Sequence, residues 1–130
     1  MVKLDFQIPL YKVDVTLVQV ESKKDESAVT KLLKSIDAED EDIECTANYI
    51  KRSVVNGGDT YRNFERKCII VVFYLMEDNI SRAEVYSHEK RHIEDRVLEF
   101  CGVDDIESAG LLAGFLGERF YEFWNKVVKS

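Results

Sequence analysis

The chain of 130 residues is long enough for one domain with one hydrophobic core. It carries 25 acidic and 18 basic residues, and the resulting net charge of −7 disfavours a surface that binds nucleic-acid phosphates. Hydrophobic residues make up 45% and charged residues 33%, which excludes the composition of a disordered chain.

The first part of the chain has the patterns of one strand and one helix. Over residues 4–20 apolar and polar residues alternate, which is typical of a strand. Pro9 interrupts this run, so the strand proper is predicted to begin near Leu10. Over residues 25–36 apolar residues recur every three or four positions, which predicts a helix with one apolar face.

The middle of the chain reads as an acidic loop followed by two strands. Residues 37–44 hold six carboxylates without the alternating pattern of a calcium loop, and we interpret them as a solvated loop. Residues 45–55 are predicted to form a second strand, and the Asn-Gly-Gly-Asp sequence at 56–59 a turn. Residues 67–76 predict an apolar strand buried on both faces. The expected sheet therefore has three strands.

Two helices are predicted after residue 78. The first is expected over about residues 82–100, because Gly102 is placed to end it. Asp104 and Glu107 have the spacing of a helix start and open a second helix that extends to about residue 128. Together these elements predict an α+β domain, in which a small mixed sheet carries an early helix and two C-terminal helices.

Three further features bear on the compartment. The longest apolar run, residues 68–76, is far shorter than the roughly 18 residues of a membrane-spanning helix. The first residues lack the apolar segment of a secretory signal. The cysteines at positions 45, 68 and 101 form no close pair, and we interpret all three as small core residues. These observations predict a cytoplasmic protein without a membrane partner.

The sequence His88-Glu89-Lys90-Arg91-His92 matches the metal-binding pattern H-E-x-x-H and lies in the first of the two predicted C-terminal helices. In a helix the two imidazoles stand one turn apart on one face, so both can bind one tetrahedral zinc ion. Glu89 is then placed to take a proton from zinc-bound water, while the metal polarises a scissile carbonyl. These are the parts of a zinc-dependent peptidase.

Two interpretations of this motif are open. The chain has two histidines, and random placement would give them this spacing, with Glu in second place, in about 0.2% of cases. A solvated polar helix face, which His88 and His92 would share with Glu84, Asp95 and Glu99, has the same appearance. The first interpretation gives a metal site, and the second gives a face without a ligand.

A catalytic zinc ion needs a third protein ligand, and the sequence offers one main candidate. No third histidine exists, and Glu107 lies in the first turn of the next predicted helix. Gly110, Gly114 and Gly117 follow it at helical spacing, which would let this helix approach the motif helix closely. Glu107 is therefore the predicted third ligand, and the alternative is that it only closes a capping box with Asp104.

Three segments resemble a known group of proteins. They are IPLY at 8–11 before a valine-rich strand, the HEKRH motif at 88–92, and the sequence ESAGLLAGF at 107–115. In this order they resemble small HExxH proteins encoded by bacteriophages and mobile elements, which are similar to the minimal gluzincins, a class of zincin metallopeptidases.

The resemblance implies a single zincin-like domain over residues 1–130. It also implies zinc as the cofactor, bound by His88, His92 and Glu107, with Glu89 as the base and a peptide or protein as the substrate. The rival hypothesis is a noncatalytic phage or mobile-element protein that acts through protein–protein interaction and has a structural or vestigial metal site. An open coordination position on a bound zinc ion would favour the enzyme over this rival.

Overall fold

The chain folds into a four-stranded sheet with two helices on each face, and the structure, a computed structural model, describes residues 1–130. The strands are β1 (Val2–Ile8), β2 (Val13–Gln19), β3 (Gly58–Asn63) and β4 (Cys68–Phe73). The helices are α1 (Glu26–Ser35), α2 (Asp40–Lys51), α3 (Asn79–Cys101) and α4 (Ile106–Val128). The fold class is α+β with a mixed sheet, as the sequence predicts.

The strand order of the sheet is β1-β2-β4-β3. β1 pairs with β2 antiparallel, β2 with β4 parallel, and β4 with β3 antiparallel. The two central strands are therefore β2 and β4, and β3 forms an edge. α3 packs beside this edge.

The prediction of an apolar strand over 67–76, buried on both faces, is confirmed by β4. Ile69 and Val71 point to the face covered by α3 and α4. Ile70 and Val72 point to the face covered by α1 and α2. A central strand covered by helices on both sides has no solvated face, and its sequence is accordingly apolar without alternation.

The prediction of one strand beginning near Leu10 is wrong, because residues 9–12 form a turn between two antiparallel strands. Leu10 and Lys12 both have positive φ, of 68° and 55°. Pro9 lies in this turn, where its missing N–H removes no ladder hydrogen bond. The alternation continues on both sides of the turn, which is why the two strands read as one.

The helix predicted over 25–36 is confirmed by α1.

The acidic loop predicted over 37–44 and the strand predicted over 45–55 are both wrong, because α2 occupies most of this region. Asp40 begins the helix, and the first turn carries three carboxylates, which the positive end of the helix dipole stabilises. Ile43, Ala47 and Ile50 are buried at spacings of four and three, the period of a helix.

The strand β3 is not predicted by the sequence, so the sheet has four strands rather than three. The expected turn at 56–59 overlaps the beginning of β3, and Asn56 with a φ of 57° makes the turn. β3 contains mainly polar residues, and only Tyr61 is strongly apolar in character. An edge strand can form from such a sequence because β4 supplies the backbone partner along its whole length.

The two C-terminal helices are confirmed, and the N-cap of α4 differs from the one expected. Gly102 ends α3 with a φ of 67°, a left-handed conformation that glycine adopts without steric cost. The cap of α4 is Asp105, which accepts a hydrogen bond from the Ser108 backbone N–H at 2.9 Å. Asp104 and Glu107 therefore do not form the capping box that was the alternative role of Glu107.

Two expectations drawn from composition can be compared with the structure. The prediction that all three cysteines are core residues is wrong, since Cys45 is exposed on α2 and Cys68 and Cys101 are only partly buried. Neither of the two long helices, nor any shorter one, combines the length and apolar character that crossing a membrane requires.

Candidate metal site

The rotation of α3 about its axis is fixed by the apolar residues that it packs on the sheet. Tyr86, Ile93 and Val97 are buried in the core beneath β2 and β4. Glu89 lies on the same inner half of the helix and is 4% exposed. The rotation of α3 about its axis therefore directs the Glu89 carboxylate inward, towards the edge strand β3.

The Glu89 carboxylate is held by β3. The Thr60 hydroxyl donates a hydrogen bond to Glu89 Oε2 at 2.6 Å. A Cβ atom added to Gly58 would lie 3.1 Å from Glu89 Cγ, so the glycine leaves the space that this side chain occupies. Oε1 of Glu89 makes no hydrogen bond within the protein. One carboxylate oxygen is therefore fixed and the other is available.

The two imidazoles of the motif lie beside this carboxylate, with His88 exposed to solvent and His92 partly exposed. The ring centroids of His88 and His92 are 4.5 Å apart, with their planes tilted by 50°. His92 Nδ1 is 3.8 Å from Glu89 Oε2, and its side chain is 45% exposed. Neither imidazole has a hydrogen-bond partner in the protein, so both rings can turn towards a ligand without losing a hydrogen bond.

The donor atoms of His88, Glu89 and His92 all lie within 4.8 Å of one another. Donors around a tetrahedral zinc ion are about 3.4 Å apart, as bonds of about 2.0–2.1 Å at the tetrahedral angle require. Rotation of the two imidazole rings can shorten the distances between the donor atoms to those required around a bound ion. Two imidazoles and a carboxylate therefore fit a divalent cation, and this donor set suits zinc as well as other first-row metals.

The structure does not bring Glu107, the predicted third ligand, into this group. Glu107 is exposed in the first turn of α4, and α4 packs on the other flank of α3. A Cβ added to Gly117 would lie 3.8 Å from Lys90 Cε, which places Lys90 on the side that faces α4. From this contact α4 runs back along α3, so that Glu107 lies opposite the end of α3, about 12 Å along the helix from His92.

The glycines of α4 do not serve the approach that the sequence suggests. Gly110 and Gly114 are exposed, and a Cβ atom added to either would meet nothing within 4 Å. The expectation that a glycine-lined face packs against the motif helix is therefore wrong for both. Only Gly117 faces α3.

Thr60 is the site residue that the sequence analysis missed. It lies 29 positions before Glu89 and in a strand that was not predicted. A single sequence carries no local signal that connects these two positions, since their contact depends on the pairing of β3 with β4. Tyr86, two residues before the motif, is buried and donates its hydroxyl hydrogen bond to Gln19, so it belongs to the core and not to this site.

Comparisons of the chain with protein-family models, with curated proteins and with solved structures gave no match. The resemblance to zincin-like HExxH proteins therefore stays a prediction. What supports a functional site on α3 is its geometry, namely two unpaired, exposed imidazoles beside a buried and oriented carboxylate.

Proposed function

We propose that this chain binds a zinc ion through His88 and His92 and hydrolyses a peptide bond in a peptide or protein substrate. The observation that carries the proposal is the convergence of both imidazoles and the Glu89 carboxylate within 4.8 Å on a solvent-exposed flank of α3. The cytoplasmic location and the relation to phage-encoded HExxH proteins, both inferred from the sequence, belong to the same proposal.

Each side chain has a distinct role in this reaction. Zinc, when bound, supplies a Lewis acid that polarises the scissile carbonyl and lowers the pKa of water. His88 and His92 hold the ion. Glu89 Oε1 accepts the proton of the attacking water and delivers it to the leaving amine, while the Thr60 hydroxyl keeps Oε2 in place. The solvent-exposed position of the imidazoles leaves room for water and substrate.

The test begins with the metal content of protein purified without chelators, followed by titration of the metal-free protein with zinc. We expect one equivalent of zinc. The Glu89→Gln variant should keep this zinc and lose about 10²-fold or more of the cleavage of labelled casein or of a peptide mixture, because it lacks the base. Asp95→Asn is the matched control, since Asp95 is an exposed carboxylate of the same helix that pairs with Arg91.

A noncatalytic metal protein is the second candidate, and one observation favours it. Glu89 is within reach of the same ion as the histidines, and Glu107 is not in the group. If Glu89 is itself the third ligand, no base remains, and the site holds metal for structure or for binding a partner. Glu89→Gln would then weaken zinc binding, whereas the enzyme proposal expects unchanged zinc affinity and lost cleavage.

A further inference from the structure

A second group of charged side chains lies next to the candidate metal site, in a cavity between β3 and the C-terminal part of α3. Arg62 is two residues beyond Thr60 on β3 and therefore on the same face of the strand. Arg96 is one helical turn beyond His92. The cavity has a volume of about 210 Å³ and is lined by Arg62, Phe64, Arg96, Glu99 and Phe100. We call it the arginine cavity.

Two stacked aromatic rings form one wall of the arginine cavity. The ring centroids of Phe64 and Phe100 are 4.4 Å apart and their planes differ by 10°. The Arg62 guanidinium carbon lies 6.0 Å from the centroid of the Phe64 ring. Cation–π attraction to the Phe64 ring favours this position of the Arg62 guanidinium, at the apolar wall of the cavity.

The charges of the arginine cavity are incompletely neutralised. Arg62 takes part in none of the ion pairs of the structure. Arg96 pairs only with Glu99, at 3.6 Å, and the Glu99 side chain is 75% exposed. Two guanidinium groups and one carboxylate give a local charge of +1 in a chain whose net charge is −7. The cavity therefore attracts an anion.

We propose that the arginine cavity binds a carboxylate of the substrate, and this inference rests on the proposed peptidase function. A guanidinium group donates two parallel hydrogen bonds to a planar carboxylate. The local charge of +1 matches a monoanion, and the carboxylate of Glu99 opposes a phosphate dianion. The apolar wall formed by Phe64 and Phe100 suits the methylene groups that carry an acidic side chain.

The position of the cavity also limits where this carboxylate lies in the substrate. Arg96 is four positions beyond His92, about 6 Å along α3. An extended peptide advances about 3.4 Å per residue. The acidic residue is therefore expected near the scissile bond, about two positions away, and the enzyme prefers peptides with Glu or Asp there.

The test uses two probes that differ in one group, N-acetyl-glutamate α-amide and N-acetyl-glutamine α-amide, titrated into the full chain loaded with zinc and followed by NMR. We expect the glutamate probe to bind at least 10-fold more tightly than the glutamine probe. Arg62→Gln and Arg96→Gln should each remove most of this difference. Arg91→Gln is the control, because Arg91 pairs with Asp95 outside the cavity.

Zinc affinity is measured on the same proteins to separate the two proposals. Unchanged zinc affinity in Arg62→Gln and Arg96→Gln shows that the variants are folded and that the cavity is distinct from the metal site. If zinc binds and the two probes bind equally, the cavity assignment is wrong and the metal site stands. If no zinc binds but the glutamate probe is still preferred, the peptidase proposal fails and the carboxylate site stands. Tighter binding of inorganic phosphate than of the glutamate probe would overturn the choice of a carboxylate.

Discussion

The two faces of the edge strand β3 carry polar side chains in two different settings. Towards α3, Thr60 donates to Glu89, next to two imidazoles that have no partner in the protein. Towards α2, the Tyr61 and Thr46 hydroxyls bond to each other. On that same face Asp59 accepts a hydrogen bond of 2.6 Å from the Tyr74 hydroxyl.

The polar groups on the two faces of β3 differ in whether the protein supplies their hydrogen-bond partners. On the α2 side the hydroxyls and the carboxylate are paired within the protein, and burial raises the pKa of Tyr61 to about 12. Paired and buried polar groups stabilise a fold and offer nothing to a ligand. On the α3 side the buried, oriented Glu89 carboxylate lies beside two imidazoles without a hydrogen-bond partner. This group has donor atoms free to hold a metal ion.

The largest expected effect comes from removing either imidazole. His88→Ala and His92→Ala should each lower zinc affinity by about 100-fold or more, about 2.7 kcal/mol, because each removes a metal ligand. The stability of the metal-free protein should change by less than about 0.5 kcal/mol, since neither side chain is buried or makes a hydrogen bond in the protein. Zinc titration and urea unfolding measure the two quantities. Retention of a full equivalent of zinc in His88→Ala would rule out this site.

A pair of threonine variants sharpens the contrast between the faces. Thr60→Val removes the hydrogen bond to Glu89 and should lower cleavage by about 10-fold, as loss of a group that orients a metal-site residue does. Thr46→Val removes the partner of Tyr61 and should cost about 1 kcal/mol of stability without changing cleavage. Thr60→Ser should restore the parent behaviour. Equal effects of both valine variants on cleavage would contradict a division of roles between the faces.

The tyrosine on the α2 side of β3 should make the stability of the protein depend on pH in alkaline solution. Burial raises the pKa of Tyr61 from its ordinary value of 10.0 to about 12, so the folded protein retains the proton more strongly. Stability from this group is complete below pH 10 and is lost as the pH rises towards 12. Because Tyr61 is only partly buried and solvent screens its charge, the expected loss of stability is about 1 kcal/mol. Unfolding midpoints at pH 8 and pH 11 should differ less in Tyr61→Phe than in the parent, and an unchanged difference would contradict this assignment.

The parts of the fold that the sequence predicts are those whose residues carry their own local pattern. α1 has an apolar stripe, β4 is apolar throughout because both faces are covered, and Gly102 marks the end of α3. α2 was misread because three acidic residues in its first turn resemble a solvated loop. The dipole of the helix, which the composition of the segment does not reveal, makes that position favourable for them.

The features of the candidate site also differ in whether a local sequence pattern predicts them. The pairing of His88 with His92 depends on helical spacing alone and could be inferred from five consecutive residues. The contact of Thr60 with Glu89 depends on an edge strand whose formation requires β4 as a partner. The position of Glu107 depends on which flank of α3 receives α4, and helical periodicity does not determine that choice.

The smallest expected effect is the one that tests the position of Glu107. Because Glu107 lies outside the group and Asp105 caps α4, Glu107→Ala should leave zinc affinity unchanged, with a loss of stability of at most about 0.5 kcal/mol from the helix dipole. Gly114→Leu should also leave zinc affinity unchanged. It should raise stability by about 0.5–1 kcal/mol, because Gly114 is exposed, has no neighbour within 4 Å of an added Cβ, and is a poor helix former.

The alternative, in which α4 presents Glu107 to the histidines across a glycine-lined interface, gives opposite results for both variants. Glu107→Ala would then weaken zinc binding by removing a charged ligand, and Gly114→Leu would weaken it by forcing the two helices apart. Zinc affinity and unfolding midpoint measured on the same two proteins distinguish the cases. A loss of 10-fold or more in zinc affinity in both would show that α4 reaches the histidine flank of α3 when metal is bound, and that the separation of the two flanks does not hold for the metal-bound protein.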